Sequence, residues 1–400
     1  MPGNALIVSR YFPPGGGVGA FRSAKFVKYL PEFGWDSYVV SLPHERQKQF
    51  VADDVNHQQY ASLADIPEAR IYVDVPLSSI DKSLGDTRRL PVLAKQIPEL
   101  VDRYDIDVVY QTAPPFYSLP AVAWVKQRTD VPYVVDLRDP WYLNEEIFSS
   151  IKSVDNPLWK RINRHAERVV VKYADTIVLN TPEMERLYTE TYPEHAETFT
   201  TITNGYDPSD YTVSSTSSRS AETTRIIYPG RFRDGTTGFL DALDAVSTSA
   251  PLELVHFGDE NRTYTRKFFT AAQRRGLTDL LDKRGYADFP TVVRNIKQSD
   301  IGLIITRKND PTHVPAKTYD YIACDVPILA ITPDSGALAQ ILGQFDHAYT
   351  AAHDDVTEIQ AHLEHLINTE PNGLGSEDSR DQYSRQELTR SLAAVFENHQ

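Results

Sequence analysis

Short apolar runs alternate with amphipathic stretches along most of the chain, and this alternation limits its folds more than any single motif does. In the first half the runs are Ala5–Ser9, Ser37–Leu42, Ile71–Val75, Asp107–Thr112, Tyr133–Leu137 and Thr176–Asn180. Helix-period patterns lie between them at Ala20–Phe33, Leu90–Tyr104, Phe116–Arg128 and Pro157–Tyr173. Strands that alternate with helices build βαβ units, and those units build a parallel sheet. The second half repeats the alternation, with strands expected at Arg225–Tyr228, Leu252–Phe257, Ile301–Thr306 and Pro327–Thr332. A Ser/Thr-rich tract at 207–224 separates the halves and reads as a linker. Glu377–His399 reads as one terminal helix, with Tyr383, Leu388, Leu392 and Phe396 as its apolar contributions.

The expected fold class is therefore α/β, with two Rossmann-like domains at 1–206 and 225–376 facing a central cleft. Ligands of open α/β sheets bind beyond the carboxyl ends of the strands, so residues in those positions are the candidates for chemistry.

Bulk properties narrow the function classes. Four hundred residues exceed one comfortable core, which favours two domains. A net charge of −14 argues against nucleic acid as a general partner. The single cysteine, Cys324, excludes an internal disulfide framework and fits a cytoplasmic setting. No run of eighteen apolar residues is present, and the N-terminus goes straight into a strand. Two stretches oppose the global sign: Lys82, Arg88, Arg89 and Lys95, and then Lys160, Arg161, Arg164, Arg168 and Lys172. Either is a solvated helix face or a surface for peripheral contact with anionic lipid at the inner face of a membrane.

The richest segment is 315–331, P-A-K-T-Y-D-Y-I-A-C-D-V-P-I-L-A-I. Pro315 suits a helix start, and Ala316, Tyr319 and Ala323 fall on one stripe. Lys317 and Asp320 are three apart on another face, where they make either an ordinary ion pair or a ligand site. A lysine beside helix-start amides suits a phosphate, and a carboxylate one turn on can accept hydrogen bonds from a sugar hydroxyl. At 226–233 a strand ends on Gly230 and Arg231, and an arginine so placed can clamp a diphosphate.

In the first half, Gly15, Gly17 and Ala20 satisfy the spacing G-x-G-x-x-A. The loop starts several residues beyond its strand, and no acid follows the second strand to hold a ribose, so a dinucleotide cofactor is not expected. The helix after it is expected to bury Ala20, Ala24, Val27 and Leu30 and to turn Arg22, Lys25 and Lys28 outward. Asp136, Arg138, Asp139 and Trp141 end the strand at 133–137, where Asp139 can orient an acceptor hydroxyl, cap a helix or pair with Arg138.

Taken in order, G-G-G-V-G near the N-terminus, D-L-R-D-P-W, N-G-Y-D at 204–207, P-G-R-F and P-A-K-T-Y-D-Y-I-A-C-D-V-P-I-L resemble the retaining glycosyltransferases of family 4, which have the GT-B fold. The resemblance implies transfer of a sugar from a nucleoside diphosphate to a hydroxyl acceptor, in glycan, polysaccharide or glycolipid synthesis. It implies no cofactor and no metal, with the nucleotide sugar as substrate and a glycan or lipid-linked acceptor. Gly16 and Gly17 would face the donor phosphates or the acceptor, and Arg231 and Lys317 would neutralise the leaving diphosphate. Asp320 would hold the ribose, Tyr286 would mark the base site, Thr312 would stand near the sugar, and the C-terminal helix, 377–400, would cross back onto the first domain. Arg138, Asp139 and Trp141 would lie on the acceptor side, with Asp139, Arg231 and Lys317 carrying the chemistry. The chain departs from the family in three places, one being that a first-domain histidine common in many members has no obvious match here. The lysine expected after Arg231 is missing from Gly235-Thr236-Thr237-Gly238, and the paired glutamates become Thr312 and Asp320. Two other readings fit the same pattern: a non-catalytic carbohydrate-binding or assembly subunit, and a nucleotide-sugar epimerase.

Overall fold

The computed structural model describes residues 2–13, 18–42, 69–72, 88–143, 157–214, 223–369, 373–375 and 377–400. The chain forms two compact units, Met1–Thr203 with Arg385–Gln400, and Asn204–Ser384.

Among the described residues the first unit contains seven strands: β1 (Gly3–Val8), β2 (Trp35–Ser41), β3 (Ala69–Tyr72), β4 (Val108–Ala113), β5 (Tyr133–Leu137), β6 (Thr176–Leu179) and β7 (Phe199–Thr201). They pair in the order β3-β2-β1-β4-β5-β6-β7, and every pairing is parallel. The order reverses between β1 and β4, the doubly wound arrangement that opens a crevice at that point. Helices α1 (Val18–Tyr29), α2 (Arg89–Tyr104), α3 (Ala121–Val125), α4 (Pro157–Tyr173) and α5 (Pro182–Thr191) connect the strands. Because strand side chains alternate, Leu6, Val109, Val135 and Ile177 join one core layer, while Ile7, Tyr110, Val134 and Val178 join the other.

The second unit has six strands: β8 (Thr224–Pro229), β9 (Leu252–Phe257), β10 (Leu281–Lys283), β11 (Ile301–Ile305), β12 (Ile328–Ile331) and β13 (Ala348–Ala351). Their order, β10-β9-β8-β11-β12-β13, is again wholly parallel and reverses between β8 and β11. Around them lie α6 (Thr237–Ser247), α7 (Thr263–Arg274), α8 (Phe289–Lys297), α9 (Ala316–Cys324), α10 (Ala337–Leu342) and α11 (Val356–Thr369). Within the tract read as a linker, residues 208–211 form a 3-10 turn whose Tyr211 is buried in this unit.

Three expectations are corrected. Glu377–His399 is not one helix: α12 (Glu377–Asp381) ends before Gln382, and α13 (Arg385–Glu397) starts afresh. Between them Tyr206 donates its backbone N–H to the carbonyl of Tyr383, and Ser384 bridges to Tyr206, so backbone pairing replaces a helical turn. Tyr383 therefore joins the second unit's core, while Leu388, Leu392 and Phe396 join that of the first. Phe396 meets Trp35 edge-on, with ring centroids 5.1 Å apart. On α9 the buried face is Thr318, Tyr319, Tyr321 and Ile322, whereas Ala316 is exposed.

The third correction concerns α1, whose Arg22 and Lys25 are buried. The guanidinium of Arg22 makes a two-point ion pair with Asp136, Nε to Oδ2 and Nη2 to Oδ1, each at 2.9 Å. It also donates to the carbonyls of Ile202 and Thr203, both at 2.7 Å. Tyr110 and Thr112 donate hydroxyls to the same carboxylate oxygen of Asp136, at 2.6 and 2.8 Å. A buried charge is tolerated only when paired and saturated with hydrogen bonds in this way.

Candidate functional site

In the second unit the loops after β8 and β11 flank the point where strand order reverses. The β8 loop begins with Gly230, at φ 108°, whose N–H donates to the carbonyl of Phe257. Next along the sheet edge Gly258, at φ 142°, follows β9 and donates to the carbonyl of Gly285, which follows β10. Only glycine takes these conformations without strain, and the result is a bare row of backbone at the carboxyl ends of three adjacent strands.

Lys317, in the first turn of α9, stands over this row. Its Nζ lies 3.3 Å from the centre of the Tyr228 ring, and a methyl group added at Gly230 would stand 3.6 Å from it. Tyr228 is held flat by Phe232, stacked at 4.1 Å, and its hydroxyl donates to the carbonyl of Arg231. The Nζ is buried and finds no hydrogen-bond acceptor among the described residues. Burial pulls its pKa well below the usual lysine range; Arg233 adds to the depression and Asp320 opposes it. Tyr228 supplies only the weak attraction of an aromatic face. A desolvated amine at a helix start, above a glycine turn, makes this a candidate place for an anion.

Asp320 is one turn further along α9. Burial pushes its pKa up to about 6, against the Tyr211 hydrogen bond and the Lys317 charge, which lower it; Asp210 adds to the rise. The Tyr211 hydroxyl donates to Asp320 Oδ1 at 2.5 Å. Tyr211 is itself fixed: Phe289 meets its ring edge-on at 5.5 Å, and Lys297 donates to its carbonyl at 2.6 Å. One carboxylate oxygen, Oδ1, is thus committed to the protein.

The remaining second-unit residues are spread along these loops. The Arg231 side chain is exposed, and the half-buried Arg233 is the one whose charge reaches Lys317. Tyr286, after Gly285, is 53% exposed. Thr312 is half-buried and donates to Asp310. Sequence reasoning missed Tyr211, Tyr228 and Arg233. The glycines following β9 and β10 were a visible signal for the row, but nothing local linked Tyr211 to Asp320.

In the first unit Gly16 and Gly17 lie outside the described residues. Arg138 is anchored by the carbonyls of Ala113 and Pro114, at 3.1 and 2.7 Å. Gly19 lies directly on its guanidinium, so any side chain there would collide. Asp139 is half-exposed beside it. Trp141 is buried, stacked on Phe116, with its indole N–H given to Asn163 at 2.9 Å. Arg138 and Asp139 belong to one unit, and Arg231, Lys317 and Asp320 to the other.

The two doubly wound units make the GT-B fold of glycosyltransferases. The chain aligns over 99% of its length with a glycosyltransferase from Rickettsia africae, covering 98% of that chain, at TM-score 0.67 and 14% identity. It aligns equally far with sucrose-phosphate synthase from Thermosynechococcus elongatus, covering 98% of it, at TM-score 0.69 and 12% identity. Anabaena HepE, solved with UDP, gives TM-score 0.65 at 15% identity, over 99% of this chain and 100% of that one. No curated protein matches by sequence. Residues 16–205 match the family model of the glycosyl transferase 4-like domain. The family 4 resemblance read from the motifs is thereby borne out.

The protonation of Asp320 gives a pH test. Were a ribose diol held by its carboxylate form, affinity for a nucleoside diphosphate-sugar would decline as pH falls through about 6. Tyr211→Phe removes a bond that favours the ionised form, so the midpoint should move upward. Titrations of affinity against pH check this, and an unmoved midpoint would show that Tyr211 does not tune the acid. Stability runs the opposite way. The native pKa is raised, so the folded state binds the extra proton, and this contribution is lost as pH rises from the ordinary aspartate range through about 6.

Proposed function

We propose that the protein is a glycosyltransferase that moves a sugar from a nucleoside diphosphate to a hydroxyl acceptor. In this reading the anomeric configuration is retained and no metal takes part. The observation that carries it is the buried amine of Lys317 over the Gly230 turn, without a hydrogen-bond acceptor among the described residues. The diphosphate of the donor would lie against Lys317 and the glycine row, with its ribose on Asp320.

When the bond from the anomeric carbon to the diphosphate breaks, negative charge builds on the leaving oxygen. Fixed positive charge aimed at that oxygen lowers the barrier. Lys317 supplies it from one side and Arg231 from the loop opposite. Arg233 provides a further charge close to Lys317. Tyr286 would border the base, Thr312 the sugar, and Arg138 with Asp139 the acceptor hydroxyl. HepE, crystallised with UDP and also with UDP-glucose, supports a nucleotide sugar as donor.

Arg231→Ala should lower kcat/KM by about 10²–10³, the cost of losing one donor to a developing oxyanion. Because the side chain is exposed, the melting temperature should hold. Full turnover in this variant would remove Arg231 from the clamp. Analysis of the product's anomeric configuration by NMR tests retention. Production of an isomerised nucleotide sugar without acceptor would instead indicate an epimerase.

A further inference from the structure

We propose that the outward face of α4 docks the protein on a membrane surface carrying anionic lipid. Lys160, Arg161, Arg164, Arg168 and Lys172 are all exposed on this helix. Its one acid, Glu167, is turned inward and buried, so five positive charges face solvent without a negative one on the same helix. Leu158 is 63% and Ile162 46% exposed, and Trp124 of α3 is 48% exposed. These are three of the most exposed large apolar side chains among the described residues, and α3 packs against α4. Leu158, Arg161, Ile162 and His165 follow the three-and-four spacing that puts them on one strip of a helix.

Apolar tips among basic residues, on a helix lying along the surface, fit the boundary between headgroups and acyl chains. The whole chain carries −14, so an anionic surface repels most of the molecule and attracts this face, which fixes its orientation. Leucine and isoleucine gain nothing from a phosphate backbone, which favours lipid over nucleic acid. The helix is held firmly from behind: Glu167 accepts from the hydroxyls of Tyr188 and Tyr192, at 2.9 and 2.6 Å, and from the N–H of Tyr142. In the other basic stretch Arg89 is buried, and Lys82 lies outside the described residues. No helix among the described residues is long and apolar enough to cross a membrane, so the attachment would be peripheral. The inference rests on the first unit alone, independently of the donor site.

Co-sedimentation with vesicles decides it. The protein should pellet with phosphatidylcholine vesicles containing phosphatidylglycerol and stay in solution with phosphatidylcholine alone. Arg161→Glu/Arg164→Glu should weaken binding by about 30-fold or more, and Leu158→Ser/Ile162→Ser by about tenfold. All four side chains are exposed, so unchanged melting temperatures should accompany both losses. Quenching of tryptophan fluorescence by brominated lipid, reduced in Trp124→Phe, reads the same face without altering α4. Failure to pellet with phosphatidylglycerol vesicles, or binding that both variants retain, would overturn the proposal. So would equal binding to a DNA duplex that the serine variant leaves intact.

Discussion

Replacing Arg22 with methionine is expected to destabilise the first unit by about 3–5 kcal/mol, the cost of removing one partner of a buried ion pair. Both side chains of the Arg22–Asp136 pair are almost wholly inaccessible, at 1% and 0%. Methionine fills much of the space but leaves the Asp136 carboxylate facing a vacated guanidinium site, with only Tyr110 and Thr112 donating to it. The carbonyls of Ile202 and Thr203, last residues of the first unit before the chain enters the second, lose their donors too. Exposed pairs such as Arg186–Glu190 contribute far less, because water screens them and their side chains lose entropy on pairing. Urea denaturation of wild type, Arg22→Met and Arg22→Met/Asp136→Leu checks the argument. The double variant should recover much of the loss, since an apolar pair strands no charge. A single-variant loss below about 1 kcal/mol would mean that the pair is not the structural lock its geometry implies.

The second large effect is on catalysis and runs against stability. Lys317→Met should reduce kcat/KM by about 10²–10³, as removal of a charge-bearing donor to the leaving group does. Its melting temperature should stay level or rise, because the unliganded protein holds this ammonium desolvated and without an acceptor. Methionine can lie over the Tyr228 ring at no electrostatic cost. A variant that lost stability yet kept its turnover would make Lys317 a packing residue, and the donor site would need to be sought elsewhere.

What the sequence disclosed about this molecule was local. The interior strands β11 and β12 are continuous apolar runs, and β1 nearly so, as suits strands buried on both faces. The edge strands β7, β10 and β13 are only three or four residues long, and F-T-T, L-D-K and A-Y-T-A carry no such run. Lys317 and Asp320 could be paired from their spacing because one helical turn separates them. Tyr211 reaches Asp320 across 109 residues and Arg22 reaches Asp136 across 114, and no local period encodes either contact. Helical periodicity placed Arg22 outside because a charged side chain usually belongs there, and its buried partner overrode that default. The terminal helix was misread for a related reason. Its apolar spacing is continuous, but Tyr383 and Leu388 belong to different cores.

The central claim is that Lys317 and Asp320 form the donor site for a nucleoside diphosphate-sugar. Thermal-shift titration of the wild-type protein and Lys317→Met against UDP, GDP, ADP, dTDP and CDP tests it most directly. The account predicts that one of these ligands stabilises the wild type, by about 2–3 kcal/mol at a hundredfold excess over its Kd, and that the variant loses the shift. If no nucleoside diphosphate shifted the wild type, or the variant responded equally, the donor site would not be where Lys317 and Asp320 stand.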